Sequence, residues 1–363
     1  MIIEKITTSA PGRICLFGEH QDYLGLPVIT AAINLRISIS AQRRDDRKFC
    51  FRLPDIDHYD EFEFDQSDVR YVEERDYLRS AFNIVRRKGI TIPYGYDCEI
   101  HGNIPINSGT SSSSALIVAY IQMLLSIGND PVQGDPMEIA RLAHLAEVVE
   151  FDEPGGMMDH YATALGGVLY ITFDDGTSVK QLPITFGKFV LGDSREPKDT
   201  KSILSRVKGG IQDSLSLLQS EGVNISLHNN DLDGLPGLDK MISPDKQKLL
   251  RATFNVRDIT RKAMNQILAP NPDLREITRL MTSTHEALRD GLNISTHKID
   301  LMLRKATKAG AWGGKINGSG GGGCMFVYAP ERTEEVAKAI CESGGLAHIV
   351  YVDDGVRVDN KSS

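Results

Sequence analysis

Five side chains able to bind or move protons crowd one N-terminal run. Arg13, Glu19, His20, Asp22 and Tyr23 fall within eleven positions of the stretch 9–23, SAPGRICLFGEHQDY. The apolar residues 14–17 between them read as a core strand that stops at Gly18, and strand ends are where loops carry binding groups. Two carboxylates and an imidazole there can share hydrogen bonds with several hydroxyls of a polyol. Read alone, the same residues serve equally as a solvated turn with His20 as a structural partner. A zinc site is not suggested, because no second histidine stands at ligand spacing.

Two further segments carry chemistry. Residues 105–115, PINSGTSSSSA, run small and hydroxyl-bearing residues (Gly109, Thr110, Ser111, Ser112 and Ser113 among them) straight into an apolar helix. Small residues let a backbone approach an anion, and a helix start offers unpaired N–H groups and a positive dipole end. The hydroxyls add donors or a magnesium ligand. No Gly-Lys-Ser/Thr follows at Walker spacing, and by itself such a run serves as readily as a cap or linker. Farther on, a helix expected over 136–151 turns Ile139, Leu142, Ala143, Ala146 and Val149 to one face, with Glu147 one position away. The loop after it, 153–160 (EPGGMMDH), sets Asp159 just past the glycines Gly155 and Gly156. A carboxylate near a bound phosphate can ligate magnesium or accept the proton of an attacking hydroxyl. Alone, Asp159 reads as a turn or cap residue.

The elements that must position these groups mix strands and helices without a βαβ rhythm, which favours an α+β fold over a doubly wound sheet. Residues 28–40 alternate late, as a half-buried strand does; 77–87 are spaced as a helix, and 96–101 return to a strand. A strand over 168–173 closes on Asp174, Asp175 and Gly176, and a short strand over 189–191 opens the second half. Helices follow over about 202–220, 245–268, 272–291 and 297–309, with a polar excursion over 222–244. A glycine-rich loop over 313–323 precedes a strand at 325–328, a helix at 333–343 and a strand at 348–352. Residues 360–363 are expected to fray.

At 363 residues the chain is long enough for two domains, and 41% hydrophobic with 25% charged residues suits a globular enzyme or binding protein. A formal charge of −8 argues against a nucleic-acid or acidic-membrane surface. The five cysteines, Cys15, Cys50, Cys98, Cys324 and Cys341, lack CxxC or zinc-finger spacing and read as buried, reduced thiols. With no signal-peptide plan at the start and no apolar run of membrane-spanning length, the expectation is a cytoplasmic protein without a protein partner.

Together the three segments resemble the three signature motifs of the GHMP small-molecule kinases. PGRICLFGEHQDYLG looks like the galactokinase form with its GEHxDY core. PINSGTSSSSA resembles PxGxGLSSSAA, departing at Asn107, Thr110 and Ser114. The run from Lys315 through Gly318 and Ser319 to Cys324 is similar to KxTGAGxGGC. Weaker likeness around Arg251 and Ala252, and in LMTSTHEALRDGLNIS before Ile299 and Asp300, extends the match along nearly the whole chain.

The resemblance implies a two-domain α+β fold, residues 1–186 and 187–363, with the active site in the cleft between them. It implies ATP as co-substrate and Mg2+ as cofactor. Asp159 matches the acid that takes the proton of the sugar hydroxyl, and Arg13 the arginine that keeps this acid ionised. Ser113 and Glu147 match the magnesium ligands, and Gly109 to Ser113 the phosphate cradle. Glu19, His20, Asp22 and Gly156 match sugar contacts, while Gly320 and Gly321 fall in the third loop. The implied reaction is phosphorylation of a sugar, at the anomeric hydroxyl, with galactose as the first candidate.

Departures bear on the substrate. The segment 192–203 lacks the tyrosine of galactokinases and, with residues 24–27, leans toward mevalonate kinase. Against that stands Asp22, where mevalonate kinase carries small apolar residues. Mevalonate kinase is the alternative enzyme, and a sugar-sensing binding protein without catalysis is the alternative class.

Overall fold

In a computed structural model the described residues are 2–106, 108–128, 134–173, 176–228, 232, 235 and 237–362. The first sheet is built on two long strands, β1 (Lys5–Phe17) and β2 (Val28–Arg43), followed by the hairpin β3 (Lys48–Leu53) and β4 (His58–Glu63). Helix α1 (Tyr77–Arg87), capped by Asp76, leads to β5 (Tyr96–Gly102) and then to α2 (Ser112–Ile127). Helices α3 (Pro136–His144) and α4 (Met158–Leu165) precede β6 (Val168–Thr172) and β7 (Ser178–Gln181). The sheet runs β4–β3–β5–β2–β1 with β6 and β7 added at the end of β2, and β3 beside β5 is its parallel pair. One face carries an aromatic cluster of Phe49, Phe51, Phe62, Phe64, Phe82, Tyr96 and Tyr120, with ring centroids 4.9–6.1 Å apart. Tyr120 comes from α2, which is apolar nearly all round and is therefore buried.

The second half starts at β8 (Phe189–Asp193) and continues through α5 (Thr200–Ser220), α6 (Leu238–Met241), α7 (Pro244–Ile267), α8 (Leu274–Asp290) and α9 (His297–Ala309). Strand β9 (Gly313–Ile316), strand β10 (Cys324–Tyr328), helix α10 (Thr333–Glu342) and strand β11 (Leu346–Val350) complete an antiparallel sheet of order β11–β8–β10–β9. Alternation along its central strands ties the halves together. Phe189, Leu191, Phe326 and Tyr328 join the first core, whereas Val190, Met325 and Val327 face the second.

Several expectations are corrected. Residues 360–362 do not fray: β12 (Arg357–Ser362) pairs with β1, so the chain returns to its first sheet. The helix expected to reach residue 151 ends at His144, and Leu145–Val149 form one wider π-type turn that carries Glu147. Asp159 lies not in a loop but in the first turn of α4. The glycine-rich loop expected from residue 313 begins as β9. Cys341 is exposed, although all five cysteines are free thiols. Asn107, Asp174, Asp175, Ser363 and part of the 222–244 excursion lie outside the described residues. Among those described, no helix is long and apolar enough to cross a membrane.

Candidate active site

A cleft opens between the end of β1, the start of α2, the segment 147–160 and the lead into α5. At its base, Arg13 follows a bulge between Pro11 and Gly12 that re-aims the end of β1. Its guanidinium grips Asp159 bidentately, Nε to Oδ1 at 2.7 Å and Nη2 to Oδ2 at 2.8 Å. Nη1 donates to the carbonyl of Gly109. Burial pushes the Asp159 carboxyl up, but Arg13 and the Ser111 hydroxyl outweigh it and hold the group below its usual range. The arginine is 3% exposed and the Asp159 side chain 28%, so the carboxylate is anchored from below and open above.

The loop before α2 winds through Gly109 (φ 85°) and Ser111 (φ 63°), left-handed conformations that turn the start of α2 toward the cleft. Ser111, Ser112, Ser113 and Ser114 all line it. Thr110 does not. Its hydroxyl pairs with Ser108 at 2.7 Å and its carbonyl accepts the Arg13 backbone N–H at 3.2 Å.

The N-terminal cluster divides into different tasks. Glu19 is buried with Lys315, and its Oε1 accepts the Gly318 N–H at 3.0 Å, so both carboxylate oxygens are used in joining the halves. His20 Nε2 lies 3.1 Å from the Ser319 carbonyl, which can only accept, so the proton sits on Nε2. Nδ1 then accepts from the Tyr23 hydroxyl at 2.6 Å. Burial lowers the His20 pKa to about 4, which keeps the ring neutral. Asp22 accepts the Met158 N–H at 3.2 Å and has no cationic partner in the described residues. Burial and the nearby Asp159 charge raise it to about 6. A Cβ on Gly156 would stand 1.9 Å from Asp22 Oδ2, so only glycine lets this loop press against that carboxylate.

The third loop meets the cleft through Gly318 and Ser319 rather than Gly320 and Gly321. The latter two turn the chain with φ 82° and 75°, and the Gly321 N–H is tied to the Ile294 carbonyl at 2.7 Å. Opposite, Lys198 donates to Ser319 Oγ at 3.1 Å, and burial beside Arg13 lowers its pKa to about 8.

Three family models match this chain: a galactokinase galactose-binding signature over 3–43, the GHMP kinases N-terminal domain over 76–167 and the GHMP kinases C-terminal domain over 261–345. The chain belongs to the GHMP kinase family. It is 28% identical over 370 residues to mevalonate kinase of Thermococcus sibiricus, covering 98% of this chain and 99% of that one. It is equally 28% identical, over 358 residues, to galactokinase of Mannheimia succiniciproducens, covering 93% and 89%. Its fold matches Lactococcus lactis galactokinase complexed with galactose at a TM-score of 0.84, with 22% identity over 97% of this chain and 95% of that one. This GHMP kinase is an ATP-dependent small-molecule kinase.

Within a GHMP kinase cleft the donor set of Ser113 and Glu147 fits a hard divalent cation. Burial pushes the Glu147 carboxyl up. The His160 imidazole and the Ser113 and Ser114 hydroxyls outweigh it, so the group is ionised at neutral pH. Its Oε2 accepts from Ser114 Oγ and from His160 Nε2, both at 2.8 Å. No described group of three or more acidic, histidine or cysteine side chains could hold a metal alone. One carboxylate, one hydroxyl and substrate phosphates are the usual surroundings of magnesium. Sequence reasoning missed His160, Lys198, Ser319 and the Glu19–Lys315 link. His160 stands directly after Asp159, Lys198 lies in the segment already marked by its missing tyrosine, and Lys315 and Ser319 lie in the third motif, but no local pattern pairs Lys315 with Glu19 296 residues away.

Proposed function

We propose that this kinase transfers the γ-phosphate of ATP to a sugar hydroxyl, the anomeric one, with galactose as the first candidate. The division into residues 1–186 and 187–363, with β12 returned to the first part, is proposed with it. The observation that carries the reading is one cleft holding the Arg13–Asp159 pair, the serine-rich start of α2 and the cation-free carboxylate of Asp22. Phosphoryl transfer needs mainly positioning and charge stabilisation. Gly109 and the N–H groups and hydroxyls of Ser111 to Ser113 cradle the phosphates, Thr110 braces the loop through Ser108, and Lys198 faces it from the other wall. Ser113 and Glu147 would hold Mg2+, which would neutralise phosphate charge. Asp159 takes the proton as the sugar oxygen forms its bond to phosphorus and the bond to the ADP oxygen breaks. Asp22 accepts sugar hydroxyls, and Gly156 sets its position. Glu19 and His20 act by holding the third loop against the first rather than by touching sugar.

The test is Asp159→Asn, which keeps shape and removes the base. Turnover in a coupled ADP-release assay is expected to drop roughly 100- to 10,000-fold with ATP and sugar binding retained. Near-normal turnover removes Asp159 from the mechanism. The 28% identity to mevalonate kinase over nearly the full chain supports a second reading, phosphorylation of mevalonate, which the same assay separates by substrate.

A further inference from the structure

Five carboxylates line the cleft, and three of them answer to a cation of the chain: Glu19 to Lys315, Glu153 to Arg75 and Asp159 to Arg13. Asp22 and Glu147 have no lysine or arginine partner among the described residues. Of these two, Glu147 is the one held for a metal. It stands on the π-type turn, where the Glu150 N–H reaches back to the Leu145 carbonyl at 2.9 Å. Ser80 Oγ pins the same turn from α1 by donating to the Ala146 carbonyl at 2.7 Å. These bonds place the backbone, but a glutamate carboxylate swings on several rotatable bonds beyond it. What fixes the carboxylate is a pair of donors on one oxygen: Ser114 Oγ and His160 Nε2 each lie 2.8 Å from Oε2.

The His160 ring is 1% exposed and packs against His144, centroids 5.4 Å apart at 80°. An ionised carboxylate only accepts, so the shared proton sits on His160 Nε2, while Nδ1 has no partner among the described residues. The ring's hydrogen bonding is thus spent on Glu147. A buried histidine often does no more than satisfy a core neighbour. Here its neighbour in α4 is Asp159, about 100° around the helix and gripped by Arg13, so one short turn carries the base and holds the carboxylate beside it. We propose that His160 is a positioning residue for magnesium, on the reading that Ser113 and Glu147 are the ligands. With Ser114 it commits Oε2 and presents Oε1, beside the Ser113 hydroxyl, to the cation. Outer partners of a ligating carboxylate are worth roughly 10- to 100-fold in metal affinity.

The experiment is a Mg2+ titration of the full chain at a fixed concentration of a non-hydrolysable ATP analogue, read by the melting midpoint and by calorimetric binding of the analogue. Neither readout needs the acceptor. Two amides separate the roles: glutamine places an N–H donor where Nε2 stands, whereas asparagine places one only where Nδ1 stands. His160→Asn is expected to raise the Mg2+ concentration at half-effect roughly 10- to 100-fold, and His160→Gln to bring it back within about threefold of the parent. The midpoint without metal or nucleotide reports folding separately. Should His160→Asn not fold, His160→Phe, which keeps a ring against His144 without a donor, takes its place. A half-effect concentration unmoved in that variant, with only the ligand-free midpoint lowered, overturns the proposal; so does an equal rise in His160→Gln. Glu147→Gln is run alongside. If it shifts the titration and His160→Asn does not, the role of His160 falls and the metal site stands. If Glu147→Gln shifts nothing, or the parent shows no Mg2+ dependence, the metal site falls and the proposal with it.

Discussion

Glu19→Gln is expected to cost stability before it costs substrate affinity. The Lys315 side chain is 0% exposed and Glu19 1%, and they lie 296 residues apart in sequence. Lys315 also donates to the carbonyls of Cys15 and Ile316, each at 2.9 Å, while Glu19 Oε1 accepts the Gly318 N–H. Glutamine keeps the shape but offers a single acceptor oxygen, which can serve Lys315 or Gly318 and not both. Its amide hydrogens would then face a donor. Removing one partner of a buried ion pair costs about 3–5 kcal/mol, and the two carbonyls left on Lys315 place this case near 3 kcal/mol.

The chain supplies its own probe. Its single tryptophan, Trp312, directly precedes β9, with Arg275 3.5 Å over the ring and Tyr328 5.5 Å away. Urea unfolding followed by Trp312 fluorescence therefore reads the strand that carries Lys315. Adding Lys315→Met to the glutamine variant is expected to cost less than the sum of the two single changes, since the unpaired cation is gone. An unfolding free energy within about 1 kcal/mol of the parent, together with a tenfold rise in sugar KM, would refute the reasoning and return Glu19 to the substrate contacts.

Gly156→Ala puts a methyl 1.9 Å from Asp22 Oδ2 and 2.2 Å from its Cγ, so the carboxylate must move. Steady-state kinetics are expected to show sugar KM raised about tenfold or more with ATP KM unchanged; an unaltered sugar KM removes Asp22 from the sugar site. Asp22, at about 6, loses acceptor strength and gains an O–H donor on protonation, so kcat/KM for the sugar is expected to fall as pH drops through 6, and Asp22→Asn abolishes that limb. Its folded value exceeds the ordinary 3.8, so the folded chain binds the extra proton between these values. This group's contribution to stability therefore declines from about pH 4 to pH 6, a slope that Asp22→Asn flattens in pH-dependent melting.

Much of the candidate site is legible in the sequence because the groups brought to the cleft sit in contiguous runs: Arg13 to Asp22, Gly109 to Ser113, and Gly156 to Asp159. Helices such as α9, expected over 297–309 and found as His297–Ala309, are legible from their apolar spacing. What escapes is set by contacts far apart in sequence. Strand β12 is exposed at every position from Arg357 to Ser362, so no apolar alternation marks it, and only its ladder to β1 makes it a strand. Helix α4 spans just eight residues after a glycine turn, too short for a period to stand out.

The same reasoning explains why each motif is ambiguous alone. The Asn317 side chain accepts from the Cys15 N–H at 2.9 Å and donates to the Gly109 carbonyl at 2.8 Å, the carbonyl that Arg13 also holds. The Cys324 N–H reaches the Ser108 carbonyl at 2.7 Å, and Glu19 reaches Gly318. The serine-rich loop thus has few backbone groups of its own to stabilise it and borrows partners from residues more than two hundred positions away. A segment whose hydrogen bonds come largely from elsewhere looks like a linker when read alone, since buried backbone groups require partners and, among the described residues, the local hydroxyls of Ser108 and Thr110 reach only one of them, the Pro105 carbonyl. That dependence also fixes the Arg13–Asp159 pair relative to the start of α2, so a change in the third loop reaches the proposed phosphate site through these contacts.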